Sequence, residues 1–253
     1  CNADGVAAPG IAALARRLAR EHEVTVVAPA VEQSGMGHRT TYLAPIFVKE
    51  AKIEGLDAPV YALSGSPVDC AYFGIDVILK RQLDLVVSGV NQGSNEGSNV
   101  FPSGTANAAF AGAFAGYQAL AVSLCSFEHG DFDVAAEYAA RAVNYIKDHP
   151  LGNYRMLNVN VPPLPMEKIK GVKFVPMETD RYRVYYDERR RGGFNDHLYY
   201  WLCEDKPECA PTDDPAHDRA ATKNGYVSVT PFDLDLTDRA QLQLMQQEAS
   251  RYF

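Results

Sequence analysis

The fold is decided by residues 84–124, which read DLVVSGVNQGSNEGSNVFPSGTANAAFAGAFAGYQALAVSL. Asp84–Ser88 is a short apolar run that predicts a buried strand, and a loop rich in glycine and asparagine follows it. Ser103-Gly104-Thr105 then opens an alanine-rich helix over Ala106–Ala115, and Ala119–Leu124 predicts a second buried strand. Strands that alternate with helices are typical of parallel sheets, because a crossover must join parallel neighbours.

The same alternation continues outward from this segment. The other predicted elements are a helix over Pro9–Arg20, a strand at Val24–Ala28, a helix from Ser66 to about Leu79, a helix over Phe132–Lys147 and a strand at Met156–Val161. Ser66 and Asp69 form a capping-box pattern, and Pro67 suits the first helical turn. The sequence therefore predicts an α/β fold whose parallel sheet is covered by helices on both faces.

The pattern changes after about residue 170. The predicted elements there are a hairpin with strands at 181–187 and 198–203 around a charged tip at 188–193, a polar stretch over 204–223, a strand at Tyr226–Thr230, and a helix that Thr237 caps and that runs nearly to Phe253. We therefore divide the chain into a core over residues 1–170 and an extension over 171–253. A two-stranded ribbon is marginal alone, so we expect the extension to serve in oligomerisation, with packing on the hairpin's own core as the alternative.

Composition and charge limit the classes of function. The 253 residues are 47% apolar and 22% charged, which is an ordinary globular balance. A net charge of −8 disfavours binding of a nucleic-acid duplex, although a local site can still take a small anion. Five scattered cysteines disfavour a disulfide scaffold and favour a reduced, cytoplasmic protein. No signal peptide is visible, and the uncharged stretch 106–124 favours a buried helix and strand over a membrane span.

Four short polar loops each follow a predicted strand or open a predicted helix. They are Asn2–Gly5, Gln33–His38, Ser88–Asn95 and Ser103–Thr105. Ligands of open α/β sheets bind at the carboxyl ends of strands, so these loops are expected to meet in one cleft. Because Asn2–Gly5 stands where a loop leaves a strand, we also expect a few preceding strand residues, including the initiator methionine, to be missing from this sequence.

The side chains of these loops suit a phosphate ester and a hard cation. Asp4 offers a carboxylate for Mg²⁺ or Mn²⁺, and Ser34 offers a hydroxyl oxygen. Asn91 and Asn95 add neutral amide oxygens and N–H donors. Ser103–Thr105 presents backbone N–H groups at a helix N-terminus, which favour phosphate. Each loop taken alone is equally typical of an ordinary turn or helix cap.

Three common motifs of nucleotide-binding proteins and hydrolases are missing from the sequence. No Walker lysine follows the glycine-rich loop, which excludes a P-loop nucleoside triphosphatase. No Gly-x-Gly-x-x-Gly opens a helix after a strand, and no acidic residue stands at the ribose spacing, which disfavours a dinucleotide-dependent dehydrogenase. No Gly-x-Ser-x-Gly elbow is present, which disfavours an α/β-hydrolase triad.

Taken in order, these motifs resemble the SurE family of stationary-phase survival proteins. The segments that carry the resemblance are Asn2-Ala3-Asp4-Gly5 with Ala8-Pro9-Gly10-Ile11, Val27-Ala28-Pro29, Ser34-Gly35, Gly65 to Cys70, Asp84 to Asn91 with Gly93 and Asn95, Ser103-Gly104-Thr105, Leu157 to Pro162, and Gly225 to Pro231 with Asp235-Leu236-Thr237. Each segment is weakly specific, but their order and spacing over almost the whole chain are specific.

The resemblance implies a Rossmann-like core with a mostly parallel sheet, followed by a C-terminal β-hairpin and helix. In the family these extensions are commonly exchanged between subunits, which implies a homodimer or homotetramer. The implied activity is that of a divalent-metal phosphatase, using Mn²⁺ or Mg²⁺, that acts on nucleoside 5′-monophosphates and other small phosphate esters. The matching positions are Asp4, Ser34 and Asn91 for the metal, with Asp4 and Asn91 as catalytic candidates, and Asn95, Ser103, Gly104 and Thr105 for the phosphate.

One departure from the family pattern concerns the metal. The family carries two successive aspartates where this chain has Ala3 and Asp4. A hard dication prefers charged oxygen ligands, so the loss of one of two carboxylates is expected to weaken metal binding and slow turnover. We therefore expect a 5′-nucleotidase impaired by Ala3. The alternative is a catalytically silent protein that still binds nucleotide or phosphate. No residue is identified as a general acid or base.

Overall fold

A computed structural model describes residues 1–128, 130–179, 183–191, 197–205 and 213–248. Its helices are α1 (Pro9–Leu18), α2 (Pro67–Phe73), α3 (Gly104–Phe114), α4 (Phe132–Asp148), α5 (Asp218–Lys223) and α6 (Arg239–Glu248). Its strands are β1 (Val26–Pro29), β2 (Val48–Glu50), β3 (Val60–Leu63), β4 (Leu85–Gln92), β5 (Gln118–Leu124), β6 (Arg155–Val161), β7 (Val172–Phe174), β8 (Arg183–Arg191), β9 (His197–Asp205) and β10 (Val227–Asp233). Short helical turns lie at Gly74–Ile78, Gly97–Val100 and Met166–Lys168.

Two neighbouring sheets form the core of the molecule. The larger has the order β4-β5-β6-β10-β7, and the smaller has the order β1-β3-β2. Strands β4, β5 and β6 run parallel, whereas β10 is antiparallel to β6 and parallel to β7. In the smaller sheet β1 and β3 are parallel and β2 is antiparallel to β3. The predicted α/β architecture with a mostly parallel sheet is confirmed.

The first residues of the chain connect the two sheets. The backbone nitrogen of Cys1 donates to the Val87 carbonyl at 3.0 Å, and the Gly89 N–H donates to the Cys1 carbonyl at 2.7 Å. This is the hydrogen-bond pattern of a parallel neighbour of β4. The Val6 N–H donates to the Pro29 carbonyl at 2.8 Å, at the end of β1. Residues 2–5 therefore cross from the larger sheet to the smaller one.

Helices cover both faces of the larger sheet, as the sequence predicts. Side chains of β5 alternate between the two faces, as the period of a strand requires. Leu120 and Val122 join a cluster with α1 and α4, whereas Ala119 and Ala121 lie against α3. The small residues let α3 approach closely, and a Cβ added at Gly112 would lie 2.6 Å from Val86 Cβ. Among the described residues, no helix is both long and apolar enough to cross a membrane.

The sequence does not predict β2, β3, β7 or α5. The three residues of β2, Val48–Glu50, are all exposed, so no alternation of apolar and polar side chains marks this strand. Helix α5 lies inside the stretch that the sequence predicts only to be polar. Its charged residues Asp218 and Arg219 are buried, so no apolar pattern marks this helix. The helix predicted to reach Leu79 changes to a π-helical turn after Phe73.

The C-terminal hairpin and helix are present. Strands β8 and β9 pair in antiparallel register. Helix α6 begins at Arg239, and the Gln241 N–H donates to Asp238 Oδ1 at 2.9 Å, so Asp238 caps this helix instead of the predicted Thr237. The start of the predicted hairpin at residue 181, the end of its tip at 192–193 and the predicted helix end near Phe253 lie outside the described residues.

The returning strand belongs to the core sheet. β10 lies between β6 and β7, so two strands that follow residue 170 complete one edge of the larger sheet. The division of the chain at residue 170 stays a prediction about folding units. The loops that make up the candidate site lie at the carboxyl ends of β1 and β4.

Candidate functional site

Thr105 lies at the centre of a hydrogen-bond network that joins three of the four polar loops. Its side chain is fully buried. The Ala3 N–H donates to Thr105 Oγ1 at 3.1 Å, and Thr105 Oγ1 donates to Asn91 Oδ1 at 2.9 Å. Asn91 Nδ2 in turn donates to the Gly93 carbonyl at 2.8 Å, which fixes the orientation of the amide. Thr105 therefore holds the carboxyl end of β4 and the loop at residues 2–5 against the start of α3.

Two further hydrogen bonds complete the convergence of the loops. The Gln33 N–H donates to the Ala3 carbonyl at 2.7 Å, which ties in the loop that contains Ser34. The Gln92 N–H donates to Asp4 Oδ2 at 2.9 Å. All four loops named from the sequence thus lie together at the carboxyl ends of β1 and β4.

Asp4 is the half-buried acid of this site. Burial, and secondarily the charge of Glu32, raises the pKa of Asp4 to about 6, against the lowering effect of the hydrogen bond from Gln92. A nearby dication would offset both the burial and the repulsion, so the site suits a cation. Ionisation of Asp4 without a cation costs free energy, because the charged form loses solvation.

Glu32 is the acidic residue of the site that the sequence interpretation misses. It lies beside Asp4 because Gly5 packs on its backbone, and a Cβ added at Gly5 would lie 3.2 Å from Val31 C and 3.4 Å from Glu32 N. Ser34 Oγ donates to Glu32 Oε1 at 2.9 Å. A carboxylate two residues before Ser34 in the same polar loop is the sequence signal that points to it.

The oxygen donors of the site fit a hard cation such as Mg²⁺ or Mn²⁺. They are the carboxylates of Asp4 and Glu32, the Ser34 hydroxyl and the Asn91 amide oxygen. In the described parts of the chain, no three histidine, cysteine, aspartate or glutamate side chains lie close enough to hold a metal together. The donor set is therefore rich in oxygen but poor in charge, which suits a hard cation bound weakly.

The N-terminus of α3 forms the candidate anion site. Ser103 caps the helix, since its Oγ accepts from the Ala106 N–H at 3.0 Å, and its carbonyl accepts from the Asn107 N–H at 3.1 Å. In the part of the chain that the structure describes, the N–H groups of Gly104 and Thr105 have no acceptor. These are the groups that favour an anion at a helix start. The Thr105 hydroxyl already bonds to Ala3 and Asn91. The backbone N–H of Thr105 is therefore its group that can donate to an anion.

The side chain at position 3 points at this helix start. Ala3 is only 2% exposed. A Cβ added at Gly104 would lie 3.2 Å from Ala3 Cβ and 2.8 Å from Pro67 Cγ. Glycine at 104 therefore lets the first turn of α3 approach the loop closely. A carboxylate at position 3 would stand between the Asp4 loop and the first turn of α3.

Asn95 is buried in a separate amide network behind the anion site. Asn95 Nδ2 donates to Ser123 Oγ at 2.7 Å, and the Asn95 N–H donates to Asn160 Oδ1 at 2.9 Å. Its carbonyl accepts from Asn158 Nδ2 at 2.8 Å. These contacts anchor the loop after β4 on β5 and β6. A phosphate contact by the Asn95 side chain stays a prediction, and the observed N–H bonds give this residue a positioning role.

Helix α5, which the sequence does not predict, supports the same loop. Asp218 is fully buried, and its carboxylate accepts from the Gly97 N–H at 2.8 Å and from the Glu178 N–H at 2.9 Å. Thr222 Oγ1, also on α5, donates to the Glu96 carboxylate. The segment that follows Asn95 is thus held by a helix more than 120 residues away in sequence.

The chain is similar to proteins of one family over nearly its whole length. The family model described as survival protein SurE matches residues 1–184. The chain is 39% identical to the 5′-nucleotidase SurE of Thermosipho melanesiensis over 97% of this chain and 94% of that protein. It is 41% identical to the 5′-nucleotidase SurE of Symbiobacterium thermophilum over 97% of this chain and 95% of that protein.

A solved structure gives the same result for the fold. The crystal structure of SurE protein from Aquifex aeolicus matches with a TM-score of 0.83 and 31% sequence identity. The match covers 100% of this chain and 98% of that chain. The region of similarity therefore includes all four loops of the network.

Proposed function

The chain belongs to the SurE family of survival proteins, and on this basis we propose that it is a divalent-metal-dependent phosphatase that hydrolyses nucleoside 5′-monophosphates to nucleoside and phosphate. Its relatives carry the name 5′-nucleotidase SurE. The network through Thr105 carries the proposal, because it ties the start of α3 to the loops of Asp4 and Asn91. An anion site and a cation site then lie side by side, which is what a phosphate ester and its metal require.

The start of α3 would bind the phosphoryl group. The N–H groups of Gly104 and Thr105 would donate to its oxygens, and the dipoles of the helix favour negative charge there. Ser103 would hold the first turn in place by its cap. Binding at a rigid backbone fixes the phosphorus for attack without reorganisation during the reaction.

Asp4, Ser34 and Asn91, with Glu32 beside them, would hold a cation, for which we propose Mn²⁺ or Mg²⁺. When bound, such a cation neutralises charge on the phosphoryl oxygens. In the proposed reaction a water oxygen attacks phosphorus in line while the bond to the ribose 5′ oxygen breaks, and the nucleoside leaves with a proton. The chain contributes position and electrostatic stabilisation, and we assign no general acid or base.

We further propose that Ala3 impairs this activity. The side chain at position 3 points towards the start of α3, so an aspartate there would add a charged oxygen between the cation and anion sites. Its replacement by alanine leaves the half-buried Asp4 carboxylate, with exposed Glu32 next to it. Metal binding weakens accordingly, because a dication depends on charged oxygen ligands.

A catalytically silent nucleotide- or phosphate-binding protein is the second candidate function. The observation that favours it is that the anion site consists of the backbone of α3 and does not involve the side chain at position 3. Phosphate binding would then survive where turnover is lost.

Phosphate release from AMP with Mn²⁺ tests the proposal in three proteins, namely the native chain, Ala3→Asp and Ala7→Asp. Ala3→Asp is expected to increase turnover by on the order of 100-fold, because metal stabilisation of several kcal/mol is restored. Ala7 is exposed in the same region, so Ala7→Asp adds the same charge without reaching the site. It is expected to leave turnover unchanged.

The outcomes separate the two candidate functions. Silence of both the native chain and Ala3→Asp, together with measurable AMP binding by calorimetry, would favour the binding protein. Full activity of the native chain would show that Glu32 and the neutral donors suffice, and the claim about Ala3 would be wrong. An equal gain in Ala7→Asp would assign the effect to net charge.

A further inference from the structure

A cavity opens directly beside the candidate site, on the α5 side of the loop after β4. Its volume is about 650 Å³, within the range of small-molecule sites. It lies between the loop after β5, the segment after β6 and helix α5. The lining residues that matter are Ser94, Glu96, Phe127, Lys168, Arg219 and Lys223.

The cavity is continuous with the candidate site along the backbone of the loop after β4. Gln92 binds Asp4 through its N–H, and its side-chain Nε2 donates to the Phe127 carbonyl at 2.6 Å. The next residue, Gly93, packs against the Phe127 ring. Ser94, which follows it, lines the cavity. Only Gly93 separates Gln92, whose N–H binds Asp4, from Ser94 in the cavity wall.

Phe127 is an exposed aromatic ring at this entrance. It is 72% exposed, although large apolar side chains without a partner are usually buried. A Cβ added at Gly93 would lie 2.4 Å from Phe127 Cε1, so one edge of the ring rests on the glycine backbone. The ring is therefore held at a defined position while most of its surface faces solvent, which suits a stacking platform.

Three basic side chains of the cavity lining supply hydrogen-bond donors. Lys168 and Lys223 are exposed there, and neither forms an ion pair with any described residue. Arg219 is almost fully buried and paired with Glu178 at 3.3 Å. Lysine and arginine donate and do not accept. Such a wall suits a planar ring with carbonyl and ring-nitrogen acceptors, and it also suits ribose hydroxyls.

We propose that this cavity binds the nucleoside part of the substrate, with the base stacked on Phe127 and its polar edge towards Lys168 and Lys223. The inference rests on the proposed function, because the phosphate must lie at the start of α3 for the base to reach the cavity. It makes Phe127 the residue that distinguishes a nucleotide from a simple phosphate ester.

Equilibrium binding of GMP and of inorganic phosphate, measured by calorimetry with saturating Mn²⁺ on the full chain, tests this assignment. Phe127→Ala is expected to weaken GMP binding by about tenfold or more, because base stacking on an aromatic ring is lost. Phosphate binding is expected to stay unchanged, since α3 is untouched. Phe127→Tyr keeps a ring and is expected to bind GMP within about twofold of the native chain.

Two matched variants locate the effect. Phe174→Ala removes another exposed phenylalanine, which lies on the edge strand β7, and is expected to leave both affinities unchanged. Phe101→Ala removes the exposed ring that precedes α3. A loss of GMP affinity in Phe101→Ala but not in Phe127→Ala would overturn the assignment. Phosphate binding without any GMP preference would also overturn it and leave the phosphatase proposal standing, whereas no binding of either ligand would sink both.

Discussion

The loop network of the candidate site and the hairpin β8–β9 differ in what they bury and what they expose. At the site, polar groups are buried and bonded to each other, as with Thr105, which lies between Ala3 and Asn91. In the hairpin, apolar side chains are exposed, and Tyr186 and Leu202 are 68% and 57% accessible. Apart from their pairing with each other, β8 and β9 do not pack extensively on any described element.

The two regions also differ in whether they need a partner to adopt one defined arrangement. Buried polar groups that bond each other define one arrangement without a partner. An exposed two-stranded ribbon is marginal by itself and gains stability when its apolar face is covered. The register pairs Tyr186 with Leu202 and Glu188 with Tyr200, so one face of the hairpin carries the apolar set Val184, Tyr186, Leu198, Tyr200 and Leu202. We propose that a second copy of the chain covers this face.

The largest expected effect therefore concerns the hairpin. Tyr186→Arg combined with Leu202→Arg places two charges on the apolar face and is expected to weaken self-association by about 100-fold or more, as loss of aromatic anchors does in interfaces. Sedimentation equilibrium would measure the shift from dimer or tetramer towards monomer. Because the site network lies elsewhere, binding of inorganic phosphate is expected to stay unchanged.

Arg189→Ala serves as the control for this prediction. Arg189 lies on the other face of the hairpin, over the Trp201 ring at 5.9 Å. Its removal is expected to leave self-association within about threefold, because exposed contacts of this kind contribute little. A native chain that sediments as a monomer would remove the basis for the proposal about the hairpin.

The next effect, on metal affinity, tests the network itself. Thr105→Val keeps the shape of the buried side chain but removes its hydroxyl. The Ala3 N–H then lacks its acceptor, and Asn91 loses the donor that orients its oxygen. Mn²⁺ affinity is expected to fall by about 10- to 100-fold, as for other supporting residues of metal ligands. Thermal unfolding is expected to show a loss of about 1–3 kcal/mol, because a buried donor is left unpaired.

Thr105→Ser provides the comparison, since it keeps the hydroxyl and removes only a methyl group. It is expected to retain Mn²⁺ affinity within about threefold while it loses some stability from the small cavity. A Thr105→Val protein that is less stable but binds Mn²⁺ like the native chain would show that the network is structural only.

The sequence predicts elements that depend on local interactions better than those that depend on distant ones. β4, α3 and β5 are predicted because their signals are local, such as the apolar run of the strand and the cap by Ser103. The hairpin is predicted because two segments rich in aromatic and other strand-forming residues flank a charged, glycine-containing tip. The four site loops follow from the ends of these elements, since loops at the carboxyl edge of a parallel sheet meet.

Features that depend on distant partners are not predicted. β7 is three residues long, and its pairing with β10 joins Val172 to Val227 across the sequence. Asp218 is expected on the surface from its charge, yet it is buried because Gly97 and Glu178 supply its N–H donors. Glu32 belongs to the site because of the way Gly5 packs on its backbone, and its position two residues before Ser34 does not by itself show that packing.

The smallest expected effect is the change in the free energy of unfolding when Asp4 is replaced in the absence of metal. Burial first, and then Glu32, raises the pKa of Asp4 from 3.8 to about 6 in the folded chain. The stability that protonated Asp4 contributes is therefore complete below about pH 3.8 and is lost as the pH rises through about 6. In EDTA at pH 8, Asp4→Asn is expected to be more stable by on the order of 1–2 kcal/mol, allowing for the part of the carboxylate that faces solvent.

That difference corresponds to an unfolding temperature about 2–8 °C higher for Asp4→Asn at pH 8. It is expected to shrink to about a third at pH 4.5 and towards zero below about pH 3.8. Asparagine keeps an oxygen for the Gln92 N–H, so this contact is not the cause of a change. With saturating Mn²⁺ at pH 8 the order is expected to reverse, because ligand binding stabilises only the protein that binds it. Equal unfolding temperatures in EDTA at both pH values would mean that the Asp4 carboxylate is already well solvated, and the case for a cation that offsets its burial would weaken.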